Sequence, residues 1–219
     1  MKKFAVIVAG GTGNRMNNKI PKQFLLLKGK PVLYYTLQTF LQAYGDMQII
    51  LVLPEAHIAA GQQVIDTFFD NSRIQVTHGG QTRFHSVQKG LQLVKEESIV
   101  FVHDAVRCLV SVDLIHRCYE TAVESGSAIP ARDCKDSVRF ISDAGHVAIA
   151  RNSVKLIQTP QTFLSTILLP AYQVEYNDTF TDEATVVEAF GHQVKLVAGE
   201  DHNFKITTPV DLTIAEQLL

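Results

Sequence analysis

Phe4-Ala5-Val6-Ile7-Val8-Ala9 runs straight into Gly10-Gly11-Thr12-Gly13-Asn14-Arg15-Met16. A short apolar run without alternation, stopped by glycines, reads as a strand buried on both faces, as in a parallel sheet. The glycines allow close backbone approach to a ligand and expose N–H groups to phosphate. Two familiar phosphate loops do not match. G-x-G-x-x-G fails at Met16, and the Walker A pattern fails because no Gly-Lys-Ser/Thr follows. What raises the loop above a tight strand-to-helix connection is a pair of cations, Arg15 within it and Lys22 after Pro21. Pro21 has no N–H and biases Ile20 to an extended conformation, so this stretch is a loop. It lies at the carboxyl end of the first strand, where α/β sheets bind ligands. Arg15 brings a planar fork and Lys22 a mobile point charge. Together they read as a polyphosphate clamp.

Outward from this stretch, strand and helix alternate. Pro31 opens a helix from Val32 to about Ala43. Residues 48–53 (QIILVL) form a second buried strand stopped by Pro54, and a helix follows over about 56–69. A short strand near 74–77 precedes a helix over 82–94, with Val87, Leu91 and Val94 at helical spacing. Residues 99–102 (IVFV) are another buried strand and 112–124 another helix. This order predicts right-handed crossovers and a Rossmann-like α/β fold, a mainly parallel sheet flanked by helices.

The region 131–158 breaks the rhythm. Ser137-Val138-Arg139-Phe140-Ile141 alternates, the chain turns through 142–146 with Gly145, and Val147-Ala148-Ile149 resumes. That is a projecting β-hairpin arm, and a projecting edge calls for a cover, for which a partner subunit is a reasonable candidate. Helical stretches near 163–173 and 182–190, a strand at 193–197 and a closing helix from Pro209 complete one domain over 1–219.

Length and composition agree, since domains commonly run to roughly 100–200 residues. The 219 residues are 46% hydrophobic and 19% charged, and the formal net charge of -2 argues against a general affinity for nucleic acid or anionic membrane. Cys108, Cys118 and Cys134 form neither a disulfide framework nor a zinc-ligand cluster. Met1-Lys2-Lys3 and the short run after it do not make a signal peptide, and no stretch reaches the roughly 18 apolar residues of a membrane span. A cytoplasmic location is expected.

Other polar clusters follow predicted strands. Asp104, in His103-Asp104-Ala105-Val106-Arg107, ends a buried strand, where its carboxylate could hold a divalent cation or ligand. Gly79-Gly80-Gln81-Thr82-Arg83 with Ser86 reads as a second ligand loop, or as a helix start capped by Thr82. Lys205 enters the last helix, and Thr181-Asp182-Glu183 reads as a helix N-terminus. Neither G-x-S-x-G nor H-E-x-x-H occurs. Phosphates, metal and orientation are what these residues serve, as in phosphoryl or nucleotidyl transfer.

In combination these motifs resemble a known family. Ala9-Gly10-Gly11-x-Gly13-x-Arg15-Met16 with Pro21-Lys22-Gln23 is similar to the opening of the sugar-nucleotidyltransferase superfamily, whose fold is GT-A-like. Lys22-Gln23-Phe24, Gly79-Gly80…Arg83…Ser86, His103–Arg107, Thr159-Pro160-Gln161, Thr181-Asp182-Glu183 and Lys205-Ile206-Thr207 resemble the 2-C-methyl-D-erythritol 4-phosphate cytidylyltransferase family, in order along the chain.

The resemblance implies transfer of CMP from CTP to methylerythritol phosphate, with Mg2+ as cofactor, in non-mevalonate isoprenoid precursor synthesis. Arg15, Lys22 and Lys205 would be catalytic. Ala9, Gly10, Gly11, Gly80, Gln81, Ser86, Asp104 and Ala105 would bind the nucleotide. Asp104, Arg107, Thr181 and Lys205 would bind the acceptor, and Asp104 would also face the magnesium. Ser137 and Arg151 would reach the neighbouring subunit's site from the arm, which implies a homodimer. Cys108 stands where the family usually has proline, Gln81 where an acidic residue is common, and Ser137 where threonine is usual. A sister family acting on ribitol 5-phosphate shares several motifs, and a non-catalytic nucleotide-binding subunit on the same fold is a further alternative.

Overall fold

A computed structural model describes residues 1–10 and 20–219. Arg15 and Gly11 of the expected clamp lie outside the described residues. Along the chain, β1 (Lys2–Val8) is followed by a small ribbon of β2 (Leu26–Leu27) and β3 (Lys30–Pro31). Then come α1 (Val32–Ala43), β4 (Met47–Leu53), α2 (Ile58–Phe68), β5 (Ile74–His78), α3 (Arg83–Leu91), β6 (Ser98–Asp104) and α4 (Val112–Ser125). The second half holds β7 (Ser127–Asp133), the arm strands β8 (Val138–Ser142) and β9 (Gly145–Ile149), β10 (Lys155–Ile157) and β11 (Gln161–Leu164). It closes with α5 (Ser165–Ala171), α6 (Glu183–Ala189), β12 (Leu196–Ala198) and α7 (Pro209–Leu218).

The main sheet runs β10-β7-β11-β6-β1-β4-β5, with β12 beside β7. β6, β1, β4 and β5 are parallel. The reason is visible in β1. Ala5 and Ile7 pack into a core with Phe40, Phe101 and Leu114, whereas Val6 and Val8 pack into a second core with Phe84, Phe163 and Tyr172. Successive side chains on a strand face opposite ways, so a strand covered on both faces must be apolar throughout. Each such side chain contributes roughly 1.5–3 kcal/mol by its burial.

Chain order places the crevice. From β1 the chain steps outward through β4 to β5, then returns to the other side of β1 as β6. The carboxyl ends of β1 and β6 therefore flank the point where strand order reverses, the usual ligand position in such sheets.

The second half departs from expectation. Residues 163–173 are not one helix: β11 comes first, antiparallel to both β6 and β7, and α5 spans only Ser165–Ala171. The excursion 131–158 is also smaller than expected. Its roots, β7 and β10, pair with each other in the main sheet, so the arm proper is the β8–β9 ribbon. The strand expected at 193–197 lies at Leu196–Ala198, paired with β7.

Candidate active site

The crevice is a cleft of about 420 Å³ whose lining includes Ala9, Gly10, Lys22, Gly80, Gln81, Ser86, Asp104 and Lys205. One wall is the turn into α3. Thr82 caps that helix by accepting from the His85 amide, and Ser86 Oγ accepts from the Gly80 amide at 3.1 Å and donates to the Thr82 carbonyl at 2.9 Å. A side chain on Gly80 would come within 2.4 Å of His85 Cβ, and one on Gly79 within 2.7 Å of Ser86 Oγ. The tight Gly79-Gly80 turn is thus fixed by close approach. The β1 end is fixed likewise: the Gln23 amide donates to the Ala9 carbonyl at 2.8 Å, and Ala105 N–H donates to the Val8 carbonyl at 3.0 Å.

Asp104 is the centre of the opposite wall, 7% exposed at the end of β6. Arg83 Nε meets its Oδ1 at 3.1 Å, Lys205 Nζ its Oδ2 at 2.9 Å, and Arg107 Nε lies 3.8 Å from Oδ2. Burial alone would raise the carboxyl's pKa, but Arg83, Lys205 and Arg107 outweigh it and hold Asp104 well below the usual carboxylate range. It stays ionised.

The backbone of this loop is held by a relay. Asp104 N–H donates to Thr159 Oγ1 at 3.1 Å, that hydroxyl lies 3.0 Å from His103 Nδ1, and His103 Nε2 lies 3.2 Å from the Arg107 carbonyl. The only consistent assignment has Nε2 carrying the proton and Nδ1 accepting. Burial pulls His103 down to about 3, so it is neutral at physiological pH and no proton shuttle.

Arg107 donates through Nη1 to the Asn203 carbonyl at 2.9 Å, and Asn203 in turn donates to the Thr159 carbonyl at 2.8 Å. This ties the segment before Lys205 to the Asp104 loop. Lys22 Nζ reaches the Ile206 carbonyl at 3.2 Å, so the loop after β1 and the Lys205 segment meet at the cleft mouth.

The expected residues thus divide. Ala9, Gly10, Lys22, Gly80, Gln81, Ser86, Asp104 and Lys205 converge, with Ala105 buried beneath and Arg107 against Asp104. Thr181 is exposed outside the lining, just before α6. Ser137 and Arg151 also lie outside it, and Arg151 Nη1 donates to the Lys135 carbonyl at 3.1 Å. Both Asp104 oxygens face cations, and among the described residues no cluster of three metal-ligating side chains exists. These residues alone do not build a magnesium site.

Arg83 and Glu183 stand in motifs that the sequence singled out, but their pairing at the site was not read from it. Arg83 lines the cleft and grips Glu183 at the start of α6 with two bonds, one through Nη2 at 3.1 Å. Glu183 is fully buried and also accepts from Tyr172 Oη at 3.1 Å. Burial would lower the guanidinium, but Glu183 and Asp104 keep Arg83 well above the usual arginine value. The signal was Thr181-Asp182-Glu183, whose helix-start explanation was sufficient by itself: Asp182 does cap α6 with a capping box.

Known proteins resemble this chain along nearly its whole length. The family model described as IspD, 2-C-methyl-D-erythritol 4-phosphate cytidylyltransferase, matches residues 4–219. A protein of that name from Phocaeicola vulgatus is 48% identical over 219 residues, covering 100% of both chains. One from Bacteroides thetaiotaomicron is 45% identical with the same coverage. Among solved structures, the 4-diphosphocytidyl-2C-methyl-D-erythritol synthase of Anaerococcus prevotii superposes with a TM-score of 0.85 at 30% identity, covering 99% of this chain and 95% of that one. The bifunctional IspDF of Campylobacter jejuni gives 0.82 at 30% identity, covering 97% of this chain and 54% of that one. With the match running nearly end to end over this cleft, the chain belongs to the 2-C-methyl-D-erythritol 4-phosphate cytidylyltransferase family.

Proposed function

We propose that this chain transfers CMP from CTP to 2-C-methyl-D-erythritol 4-phosphate, giving CDP-methylerythritol and pyrophosphate for isoprenoid precursor synthesis. The observation that carries the reading is the convergence of Lys22, Lys205 and Asp104 on one glycine-walled cleft in a chain of this family. An oxygen of the acceptor phosphate attacks the α-phosphorus of CTP. The new P–O bond forms as the bond to the bridging oxygen of the β-phosphate breaks, and pyrophosphate departs. The attacking oxygen is already ionised, so no general base is required, in keeping with the neutral, buried His103.

Lys22, with Arg15, offsets the charge that builds on the α-phosphate, an effect realised most fully in the transition state. Gly80, Gln81 and Ser86 help to select cytosine, Ala9, Gly10 and Gly11 serve the triphosphate and base, and Ala105 backs the ribose from beneath Asp104. Lys205 and Arg107 take the acceptor phosphate, Thr181 assists, and Asp104 orients the acceptor's hydroxyls. Magnesium enters as the companion of CTP, held mainly by phosphate oxygens, as is common for this cation; it supplies charge neutralisation.

The working unit is a homodimer in the cytoplasm. Phe140, Ile141 and Val147 on the arm are 57%, 78% and 61% exposed, an apolar surface that a partner subunit would cover. Ser137 and Arg151 then serve the partner's cleft. No helix among the described residues is long and apolar enough to cross a membrane.

The test is pyrophosphate release with CTP and magnesium, offering methylerythritol phosphate and ribitol 5-phosphate in parallel. Turnover with the first acceptor alone is expected. Turnover with ribitol 5-phosphate instead would overturn the acceptor and keep the chemistry. Silence with both, from folded protein that binds CTP, would favour a non-catalytic nucleotide-binding subunit.

A further inference from the structure

The three cations around Asp104 are held in different ways. Lys205 is 41% exposed in its side chain and touches Oδ2 through one contact at 2.9 Å. Arg107 stands 3.8 Å from the same oxygen, with its Nε buried and without a hydrogen-bond partner. Arg83 is held at both ends: Nε on Asp104 Oδ1, and its two terminal nitrogens on the two oxygens of Glu183. Glu183 is itself immobilised. It is fully buried, it accepts from Tyr172 Oη, and α6 is pinned to β11 where Gln161 donates to Asp182 at 2.9 Å and accepts from the Ala184 amide at 2.8 Å.

We infer that Glu183 is a positioning residue for the transfer reaction, acting through Arg83 on Asp104. This rests on the functional reading above. When the acceptor's phosphate arrives, Lys205 is the cation able to turn to it, because it is exposed and touches Asp104 once, whereas Arg107 is held through Nη1 on the Asn203 carbonyl. Asp104 would then be left buried with its closest exposed counter-charge withdrawn. Arg83 cannot follow, since Glu183 holds it, and so it stays on Oδ1 and keeps the carboxylate charged and aimed. Arg83 is locked so that Lys205 can be lent.

The role predicts a particular kinetic signature. Glu183→Gln removes a buried negative charge, so the site becomes more positive and binds a phosphate dianion no more weakly than before. What is lost is the fixed geometry of Asp104, and small misplacements of positioning groups cost about tenfold or more in rate. The nucleotide wall should be spared, because the turn into α3 is fixed by Thr82, Ser86 and Gly80 without Glu183.

The experiment is steady-state kinetics on the full chain, varying CTP and methylerythritol phosphate separately, with calorimetric titration of inorganic phosphate alongside. For Glu183→Gln the expected result is a kcat lower by about tenfold or more, neither KM raised, and phosphate affinity equal to or tighter than wild type. Arg83→Lys keeps the charge but loses the fork, and should lower kcat in the same way; Glu183→Asp should recover part of the loss. An unchanged kcat in folded Glu183→Gln and Arg83→Lys would overturn the inference, as would weakened phosphate binding. A wild-type chain inactive on methylerythritol phosphate would overturn the functional reading, while the phosphate titration would still decide whether Glu183 acts as stated.

Discussion

The cleft and the arm are built on opposite principles. Around Asp104, side chains from β6, α3, α6 and the loop before α7 bind one another, and the backbone beneath is tied by the Thr159–His103 relay. In the arm, β8 and β9 pair with each other, and nearly every residue from 138 to 149 is exposed. The polar contacts at its root are exposed ion pairs, Arg132 and Lys135 with Asp201 and Lys155 with Asp133. Exposed pairs of this kind contribute little to stability, and an isolated two-stranded ribbon is marginal in water. One region is finished by its own chain. The other exposes apolar residues that the proposed partner subunit would cover.

Substitutions should separate the two regions sharply. The largest effect belongs to the cleft: Lys22→Ala should lower kcat by roughly 10²–10³, the usual loss when one preorganised donor to a developing charge is removed. Fold and oligomeric state should not change, as circular dichroism and light scattering would report. Charging the arm with Phe140→Asp and Ile141→Asp should do the reverse. Light scattering should show a shift from dimer to monomer, with little change in the unfolding of the sheet, and activity should fall with the dimer. If the charged arm leaves the molecular mass unchanged, the arm is not the contact.

Acid should affect the cleft's foundation. His103 is pulled from near 6.5 to about 3 by burial. The unfolded chain therefore binds a proton that the folded chain refuses, and stability present above pH 6.5 is lost as pH falls toward 3. Across that window the loss is on the order of 5 kcal/mol, at about 1.4 kcal/mol per pH unit. Urea unfolding from pH 7 to 4 should show it. His103→Gln should flatten the acid slope.

Thiol labelling gives the smallest contrast. Burial pushes Cys108 and Cys118 up to about 12, so neither supplies thiolate at neutral pH. Cys134, half-buried where β7 leads into the arm, should label first, with the other two following only on unfolding. Early modification of Cys108 would mean that the packing beside Asp104 opens more readily than the ion pairs suggest.

The sequence was legible where local pattern and burial coincide. The apolar run 4–9 and its counterparts in β4 and β6 announce themselves because a parallel strand covered on both faces cannot alternate. Gly79-Gly80 and Thr82 mark the α3 turn for the same local reason. β11 was hidden. Gln161-Thr162-Phe163-Leu164 neither alternates nor runs apolar, and its extended state comes from antiparallel partners about sixty residues before it in β6 and thirty-five in β7. The Arg83–Glu183 pair was hidden likewise, since its partners are 100 positions apart and each end has a sufficient local explanation. Lys22, Asp104 and Lys205 were found because each follows or precedes a strand or helix boundary that the sequence marks.

The claim that joins the two regions is that each cleft is completed by the partner's arm, and subunit mixing tests it most directly. Protomers carrying Lys205→Ala and protomers carrying Arg151→Ala should each form weakly active dimers. In a mixed dimer, one of the two clefts combines an intact Lys205 with an intact Arg151. Random two-fold assembly should therefore restore activity to about a quarter of wild type. Activity equal to the average of the two parents would contradict the account, because it would place both residues in the same protomer's cleft or leave the arm out of the reaction.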